Sequence, residues 1–528
     1  MDIEIKTNEL SPFEFKIHGT YAGSLIDDLS RAFSVENKRA FFAKQYGFKV
    51  PLKTYGVSPF GTFKHGLIFD VLKYLKENYA NINIKLSDDV KEIISKRLPL
   101  RSFSNSDTYN GPQNISKTIE MRPYQFEIID AVIKKGYGRC MFECPTGSGK
   151  SFIISNLIYT LQTEYNPNLR TLIFLPNAQL VKQFYKDLID YGYSKDDISE
   201  FSSNSYEKSI KEGNILSKKI IIANRQFLFN HGNEIGEFDA VIIDEVHSAS
   251  TASSQTAKYI QNLKSPIKIG CSGTIPTEKE RYWTLLHLIG PVVYKETITH
   301  LQDEGYLANV KFVTIKVKDY IVENDRNLLF NLHPRLRYSS DGETPIAFSD
   351  PYMAETQYMS EHCMDLYSPI LTNSKVHFSK SENTLILFDR IEFGKALYEY
   401  LKEIHFNDAS IYYIDGSISI NEREKIRALC ESSQNVVLVA QVAVMSTGIN
   451  IKNLSNLVMT GSSKSQSRTI QSIGRTLRLH DDKSFATIWD IVFNYKYSKK
   501  HYSERCALYR KYYNRMKPDE VIKIEIGN

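Results

Sequence analysis

A short apolar strand, GRCMFEC (138–144), runs into Pro145-Thr146-Gly147-Ser148-Gly149-Lys150-Ser151 and then into a helical stretch, KSFIISNLIYTLQ (150–162). No other feature constrains the fold of this chain more. The loop is useful only if a buried strand delivers it to the start of a helix. There, unbonded backbone N–H groups and the positive end of the helix dipole face an anion. Glycines let the backbone approach with no Cβ in the way. A glycine-rich turn with no ligand is the plain alternative, but it would not need both the strand and the helix. The segment therefore predicts a layered α/β sheet with a phosphate site at a strand end.

The rest of the chain follows that pattern. Apolar runs bounded by turns recur at RTLIFLP (170–176), KKIIIAN (218–224) and FDAVIID (238–244), with helical segments such as QLVKQFYKDLI (179–189) between them. Continuous apolar strands alternating with helices are the mark of a parallel sheet buried on both faces. The pattern starts again at NTLILFD (383–389) and continues through SIYYIDG, NVVLVA, NLVMTG and ATIWDIV (486–492). We therefore expect an α/β protein with two tandem parallel-sheet lobes, the first over 119–300 and the second over 301–495. Ahead of them, alternating segments (IEIK, FEFKIHG) and the helical stretch LIFDVLKYLKENY predict a small α/β domain over 1–100. Residues 101–118, rich in Ser and Asn, read as a linker. Residues 320–370 read as an irregular insertion, and 496–528 as a short basic, Tyr-rich C-terminal segment of plausible helical spacing.

Composition excludes some classes. The 528 residues are 42% hydrophobic and 24% charged, as in globular domains, with room for several cores. The net charge of +5 is compatible with a polyanionic partner, and 33 tyrosines leave room for base stacking. The six cysteines form no CxxC pair, so neither a zinc site nor a disulfide framework is expected. No long apolar run and no signal pattern are found. The expectation is a soluble protein of the cytoplasm, with no membrane partner, as a monomer or weak oligomer.

Several residues could complete a nucleotide site. Lys150 would reach the β- and γ-phosphates as a point charge, and the Ser151 hydroxyl would coordinate Mg²⁺. Asp244 and Glu245 follow the strand AVIID. Asp244 would hold Mg²⁺ through its waters, and Glu245 would polarise the attacking water. Arg122 and Gln125, in RPYQ, precede the first strand; an amide there could read an adenine edge, and Pro123 could equally open a helix. In QSIGRTLRLH (471–480), Gln471, Arg475 and Arg478 share one helical side. An arginine of that set could stabilise charge on a transferring phosphoryl group. In STGIN (446–450), Gly448 could lie near the nucleotide and Thr447 near a nucleic-acid phosphate.

Taken in order, these segments resemble the motifs of the superfamily 2 helicases. PTGSGKS is similar to motif I, LPNAQLVKQF to motif Ia and DEVH to motif II. SGT (272–274) is similar to motif III, LFDRIEFGKAL to motif IV, STGIN to motif V and QSIGRTLR to motif VI; ANRQF lies between Ia and II. Within the superfamily, FKHGLIFDVLKYL, STGINIKNLSNLVM and FATIWDIV resemble the phage UvsW-type helicases. The resemblance implies two RecA-like lobes, ATP with Mg²⁺, and work on single-stranded and branched DNA, with an RNA–DNA hybrid as another substrate. It implies branch migration and fork rescue in recombination, repair or replication, in a host cytoplasm. Ser272, Thr274 and Thr447 become candidates for nucleic-acid or coupling contacts. A duplex translocase without unwinding, an RNA helicase and a nucleic-acid-binding scaffold with an inactive ATPase remain alternatives.

Overall fold

The computed structural model describes residues 2–9, 11–19, 22–36, 52–95, 115–116, 118–136, 138–201, 218–325, 328–329, 334–338, 345–349, 351–376, 382–445, 451, 453–460, 473–474 and 485–527. The chain divides into two compact units, one of residues 1–144 and 149–295, the other of 296–528 with the short segment 145–148.

The first unit opens with a hairpin of β1 (Asp2–Asn8) and β2 (Ser11–His18), in which Ile5 faces Ile17 and Thr7 faces Phe15. The short β3 (Ser34–Glu36) and β4 (Lys53–Tyr55) pair separately; β5 (Thr62–Lys64) and β6 (Asn83–Leu86) complete a mixed sheet of order β5-β2-β1-β6. The period-2 alternation of IEIK and FEFKI puts Ile3, Ile5, Phe15 and Ile17 on one buried face. Leu25 and Leu29 of helix Ala22–Ala32, and Ile68, Val71 and Leu75 of helix Ile68–Asn78, cover it. That core does not close on itself. It takes in Leu286 and packs against Tyr282 and Trp283, all on helix Lys279–Leu288. Gly66 makes the approach possible: a Cβ there would lie 2.4 Å from the Leu286 carbonyl oxygen and the His287 Cα.

The rest of this unit is a fully parallel sheet. Its strands are β7 (Arg139–Glu143), β8 (Thr171–Leu175), β9 (Ile198–Phe201), β10 (Ile220–Asn224), β11 (Ala240–Asp244), β12 (Ile267–Ser272) and β13 (Val292–Lys295). The order is β13-β7-β12-β11-β8-β10-β9. The central strands are buried along nearly their whole length, as the unbroken apolar runs require. The order sets β7, β12 and β11 side by side. Their C-terminal ends carry residues 144–151, 272–274 and 244–247, three of the segments singled out above.

The second unit repeats the architecture with β14 (Asn309–Asp319), β17 (Thr384–Phe388), β18 (Ser410–Ile414), β19 (Val436–Gln441), β20 (Asn456–Met459), β21 (Phe485–Phe493) and β22 (Glu520–Ile526), ordered β18-β19-β17-β20-β21-β14-β22 and parallel throughout. A separate antiparallel pair, β15 (Pro334–Tyr338) and β16 (Pro345–Ser349), lies between β14 and β17 in sequence. The two lobes are tandem RecA-like domains behind a small N-terminal α/β domain.

One segment differs from the sequence reading, and a second is more deeply built in than its spacing alone shows. The stretch 320–370 is not simply an irregular insertion. Helices Pro351–Glu361 and Cys363–Leu371 place Tyr358, Met359, Cys363, Leu366, Tyr367 and Ile370 in the core of the second lobe. The apolar spacing that marks them is broken by Pro369 and by the polar residues around it. The basic tail is likewise part of this fold. Its helix Lys496–Tyr513 packs on β21, and β22 adds the strand beside β14. The Glu355 carboxylate accepts bonds from the Tyr497 and Ser498 N–H groups (2.8 and 3.1 Å), so the two segments brace each other. Among the described residues no helix is long and apolar enough to cross a membrane.

Arg505, one of the tail's basic residues, is turned inward and 1% exposed. Its Nε and Nη2 donate to both oxygens of the buried Asp490 on β21 at 2.6–3.1 Å, and the Tyr509 hydroxyl donates to Asp490 Oδ2 at 2.7 Å. A bidentate pair this deep is costly to break from one side, because the remaining charge stays buried. Arg505→Ala should therefore lower the stability of the second lobe by about 3–5 kcal/mol. A double R505M/D490L variant should recover most of that loss. Urea unfolding followed by the fluorescence of neighbouring Trp489, in a Trp283→Phe background, measures both.

Candidate active site

The phosphate loop is anchored at its root and takes left-handed turns at its tip that glycine allows. The Cys144 N–H donates to the Ser272 carbonyl at 3.0 Å, tying the end of β7 to the end of β12. Within the loop, Ser148 donates its N–H (3.3 Å) and its hydroxyl (2.7 Å) to the Pro145 carbonyl. Gly147 and Gly149 hold φ of 92° and 77°, left-handed values that other residues adopt only with strain. Helix Lys150–Glu164 follows directly, and its N-cap Gly149 has no side chain to bond the first N–H groups. Those donors are the ones a bound phosphate would take.

Lys150 Nζ donates to the Cys144 carbonyl at 3.4 Å and lies in the field of Glu245 and Asp244. Burial works against its charge, yet the two acids outweigh it and raise the ammonium above its ordinary value. The side chain is therefore held as a cation. The Ser151 hydroxyl is 3.0 Å from the Tyr191 hydroxyl.

The acidic pair sits at the end of β11. Asp244 Oδ1 accepts from the Glu245 N–H (2.9 Å) and from Cys271 Sγ (3.3 Å). Glu245 occupies a left-handed conformation with φ of 50°, a strain stored at a turn that aims its carboxylate back over the sheet end. Its Oε2 accepts from the Ser272 hydroxyl at 3.2 Å and lies 3.2 Å from His247 Nδ1. His247 Nδ1 is also 2.9 Å from Ser272 Oγ. The Ser272 hydroxyl further approaches the Thr274 carbonyl at 2.9 Å and accepts from the Thr274 N–H at 3.2 Å. A serine has one proton to give, so this buried hydroxyl divides it between Glu245 and the Thr274 carbonyl. Ser272 thus joins two sequence segments by hydrogen bonds internal to the lobe.

The electrostatics separate the two acids. Burial raises both, but His247, Lys150 and Ser272 outweigh it at Glu245 and hold that carboxyl below the usual range. Asp244 is pushed up, by burial first and by the neighbouring Glu245 second, with Lys150 opposing. A buried carboxyl in that state is a place where a cation lowers the energy. Its oxygen and the Ser151 hydroxyl are hard donors that fit Mg²⁺. Among the described residues no group of three His, Cys, Asp or Glu side chains could hold a metal by itself. Mg²⁺ is commonly held by one or two protein oxygens together with substrate phosphates.

Gln125 lies behind the loop. Helix Pro123–Gly136 begins just after Arg122, and Gln125 Oε1 accepts from the Arg122 N–H at 3.0 Å, as a glutamine at the third helical position does in a capping box. A Cβ on Gly149 would lie 2.6 Å from its Nε2. The amide is thus beside the phosphate loop, with its oxygen turned to its own helix start. Arg122 Nη1 donates to the Tyr124 hydroxyl at 3.4 Å. Gln471, Arg475, Arg478, Thr447 and Gly448 lie outside the described residues. Sequence reasoning overlooked the roles of His247, Cys271 and Tyr191. His247 could have been found from its place in DEVH; nothing local marks the other two.

A parallel sheet with a phosphate loop, an acidic pair and a bridging serine at adjacent strand ends defines a nucleotide-binding lobe of the helicase type. Comparison with known proteins agrees. The family model "Type III restriction enzyme, res subunit" matches residues 118–277 and "Helicase conserved C-terminal domain" matches 365–480, together just over half the chain. The chain belongs to the superfamily 2 helicases, a family that implies ATP as the nucleotide. It is 24% identical over 435 residues to the ATP-dependent DNA helicase UvsW of Enterobacteria phage T4, covering 81% of this chain and 78% of that protein. It is 21% identical over 390 residues to the XPB helicase/translocase subunit of the TFIIH complex of Trypanosoma brucei, covering 69% of this chain and 38% of the relative. Among solved structures, the Type ISP restriction-modification enzyme LlaBIII bound to DNA shares the fold. Its TM-score is 0.57 at 14% identity, over 87% of this chain and 36% of that one.

The loop geometry predicts the effect of a single methyl group. Gly149→Ala needs a left-handed alanine and drives a Cβ against Gln125, at about 1–3 kcal/mol of strain. Affinity for an ATP analogue should fall by about tenfold or more. Titration of a fluorescent nucleotide checks this; unchanged affinity would mean that the loop need not hold this conformation.

Proposed function

We propose that this chain is an ATP-driven DNA helicase or translocase that remodels branched DNA. The motor half is carried by Lys150 lying in the field of Asp244 and Glu245 at the ends of β7 and β11, which flank β12, with Ser272 bonded to Glu245. The branched-DNA half rests on the similarity to UvsW of phage T4.

In this reading Pro145, Thr146, Gly147, Ser148 and Gly149 cradle the phosphates with backbone N–H groups. Lys150 supplies charge at the β- and γ-phosphates. Ser151 and Asp244 hold Mg²⁺, which when bound neutralises the phosphate charge. Glu245, kept ionised by His247, Lys150 and Ser272, polarises the attacking water. Arg122 and Gln125 border the base. Gln471, Arg475 and Arg478 from the second lobe meet the γ-phosphate, a contribution on the order of 10³–10⁵ in rate for such arginines. Ser272 and Thr274 pass the state of Glu245 to the segment after β12. Thr447 contacts the nucleic-acid backbone and Gly448 the nucleotide. Lobes over 119–300 and 301–495 would then alternate between tight and loose grips on a strand. Binding through phosphates makes affinity insensitive to base sequence and steeply salt-dependent.

Lys150→Ala should abolish hydrolysis and leave nucleic-acid binding largely intact; unchanged turnover would remove the assignment. Arg478→Ala should keep ATP binding and lose turnover. Comparing ATPase stimulation and strand displacement on forks, four-way junctions, RNA–DNA hybrids and plain duplexes tests the substrate. Forks and junctions should give the largest response. Hydrolysis without displacement on any of them would point to a duplex translocase.

A further inference from the structure

Helix Ala178–Tyr191 ends in a turn that reaches back to the phosphate loop. Its start is capped by Asn177, whose side chain accepts from the Leu180 N–H at 3.0 Å. Its end is a Schellman arrangement: Gly192 has φ of 109°, its N–H bonds to the Ile189 carbonyl, and the Tyr193 N–H bonds to the Leu188 carbonyl. This left-handed turn directs the tyrosines on either side of Gly192 onto the same neighbour, helix Lys150–Glu164. The Tyr193 hydroxyl donates to the Ser155 carbonyl at 2.7 Å. The Tyr191 hydroxyl lies 3.0 Å from Ser151 Oγ, and its ring meets Phe152 edge-on with centroids 5.1 Å apart. The Ser155 hydroxyl donates to the Ser151 carbonyl at 2.6 Å, fixing the backbone that carries the serine.

We infer that Tyr191 is a positioning residue for the metal ligand Ser151, a role that rests on the ATP-site reading above. A serine hydroxyl that gives a lone pair to a divalent cation keeps its proton, becomes a stronger donor and needs an acceptor. The Tyr191 oxygen is placed to be that acceptor, and the ring contact with Phe152 holds it there. Partners of this outer kind fix the orientation of the ligand and commonly contribute tenfold or more to metal affinity. Tyr193 binds the same helix with equal directness but touches only a backbone carbonyl. The pair therefore separates metal positioning from simple packing.

The test uses the full chain and Mg²⁺-dependent binding of a fluorescent, non-hydrolysable ATP analogue. Tyr191→Phe keeps the ring and removes the oxygen. It should raise the Mg²⁺ concentration for half-maximal binding by about tenfold. Tyr193→Phe should lower the thermal midpoint and leave the Mg²⁺ requirement at the wild-type value. A wild-type Mg²⁺ requirement in Tyr191→Phe overturns the inference, and so does an equal shift in both variants. The wild-type protein and Lys150→Ala are measured alongside. Mg²⁺-dependent binding that Lys150→Ala abolishes leaves the ATP site standing whatever Tyr191→Phe does. Absence of that binding in the wild type overturns the site and the inference together.

Discussion

A parallel sheet covered on both faces has no room for polar chemistry along its strands, because each unpaired polar atom there would carry a desolvation cost of a few kcal/mol. Polar groups enter where the strands stop or, like Asp490 within β21, with every charge paired and hydrogen-bonded. In the first lobe β7, β12 and β11 are adjacent and end at the same level, so Lys150, Ser272 and Asp244-Glu245 are forced into one another's company. The Cys144 to Ser272 backbone bond fixes the height at which the phosphate loop leaves the sheet. The remaining features of the site are adjustments made on that frame.

Those adjustments are mostly electrostatic. Lys150 stays charged because Glu245 and Asp244 face it, and Glu245 stays charged because Lys150, His247 and Ser272 face it. Asp244 is instead pushed up, by burial first and by its neighbour Glu245 second. Two adjacent carboxyls so acquire opposite tendencies from their surroundings, one suited to a cation and the other to a water. The strain at Glu245 belongs to the same arrangement, since a left-handed turn brings its carboxylate under Ser272 and His247.

Much of this was legible in the sequence. Unbroken apolar runs such as IIIAN and AVIID announced buried parallel strands, and PTGSGKS and DEVH named the loop and the acids. The N-terminal hairpin followed from the alternation of IEIK and FEFKI. The segment 351–371 was not legible as core, because Pro369 and polar residues interrupt its apolar spacing while tertiary contacts hold its helices. The burial of Arg505 was not legible, because composition cannot tell a solvated arginine from one paired with a buried Asp490, fifteen residues earlier on the neighbouring strand. Gln125 was open to two readings in the sequence, a base contact or a helix start, and only the tertiary structure shows its oxygen accepting from the Arg122 N–H.

Local pattern by itself determined which segments are strands, which turn carries the left-handed glycines, and the family to which the chain belongs. Those properties depend on residues close in sequence, where backbone preferences and period decide. Tertiary structure alone decided the order of the strands, the Ser272 bridge to Glu245 and His247, and the docking of the N-terminal core on Trp283 and Leu286. It also set the Tyr191 hydroxyl beside Ser151, forty residues away. Each depends on a choice between competing long-range pairings, settled by how buried faces fit and which polar atoms find partners, and no window of sequence contains that information.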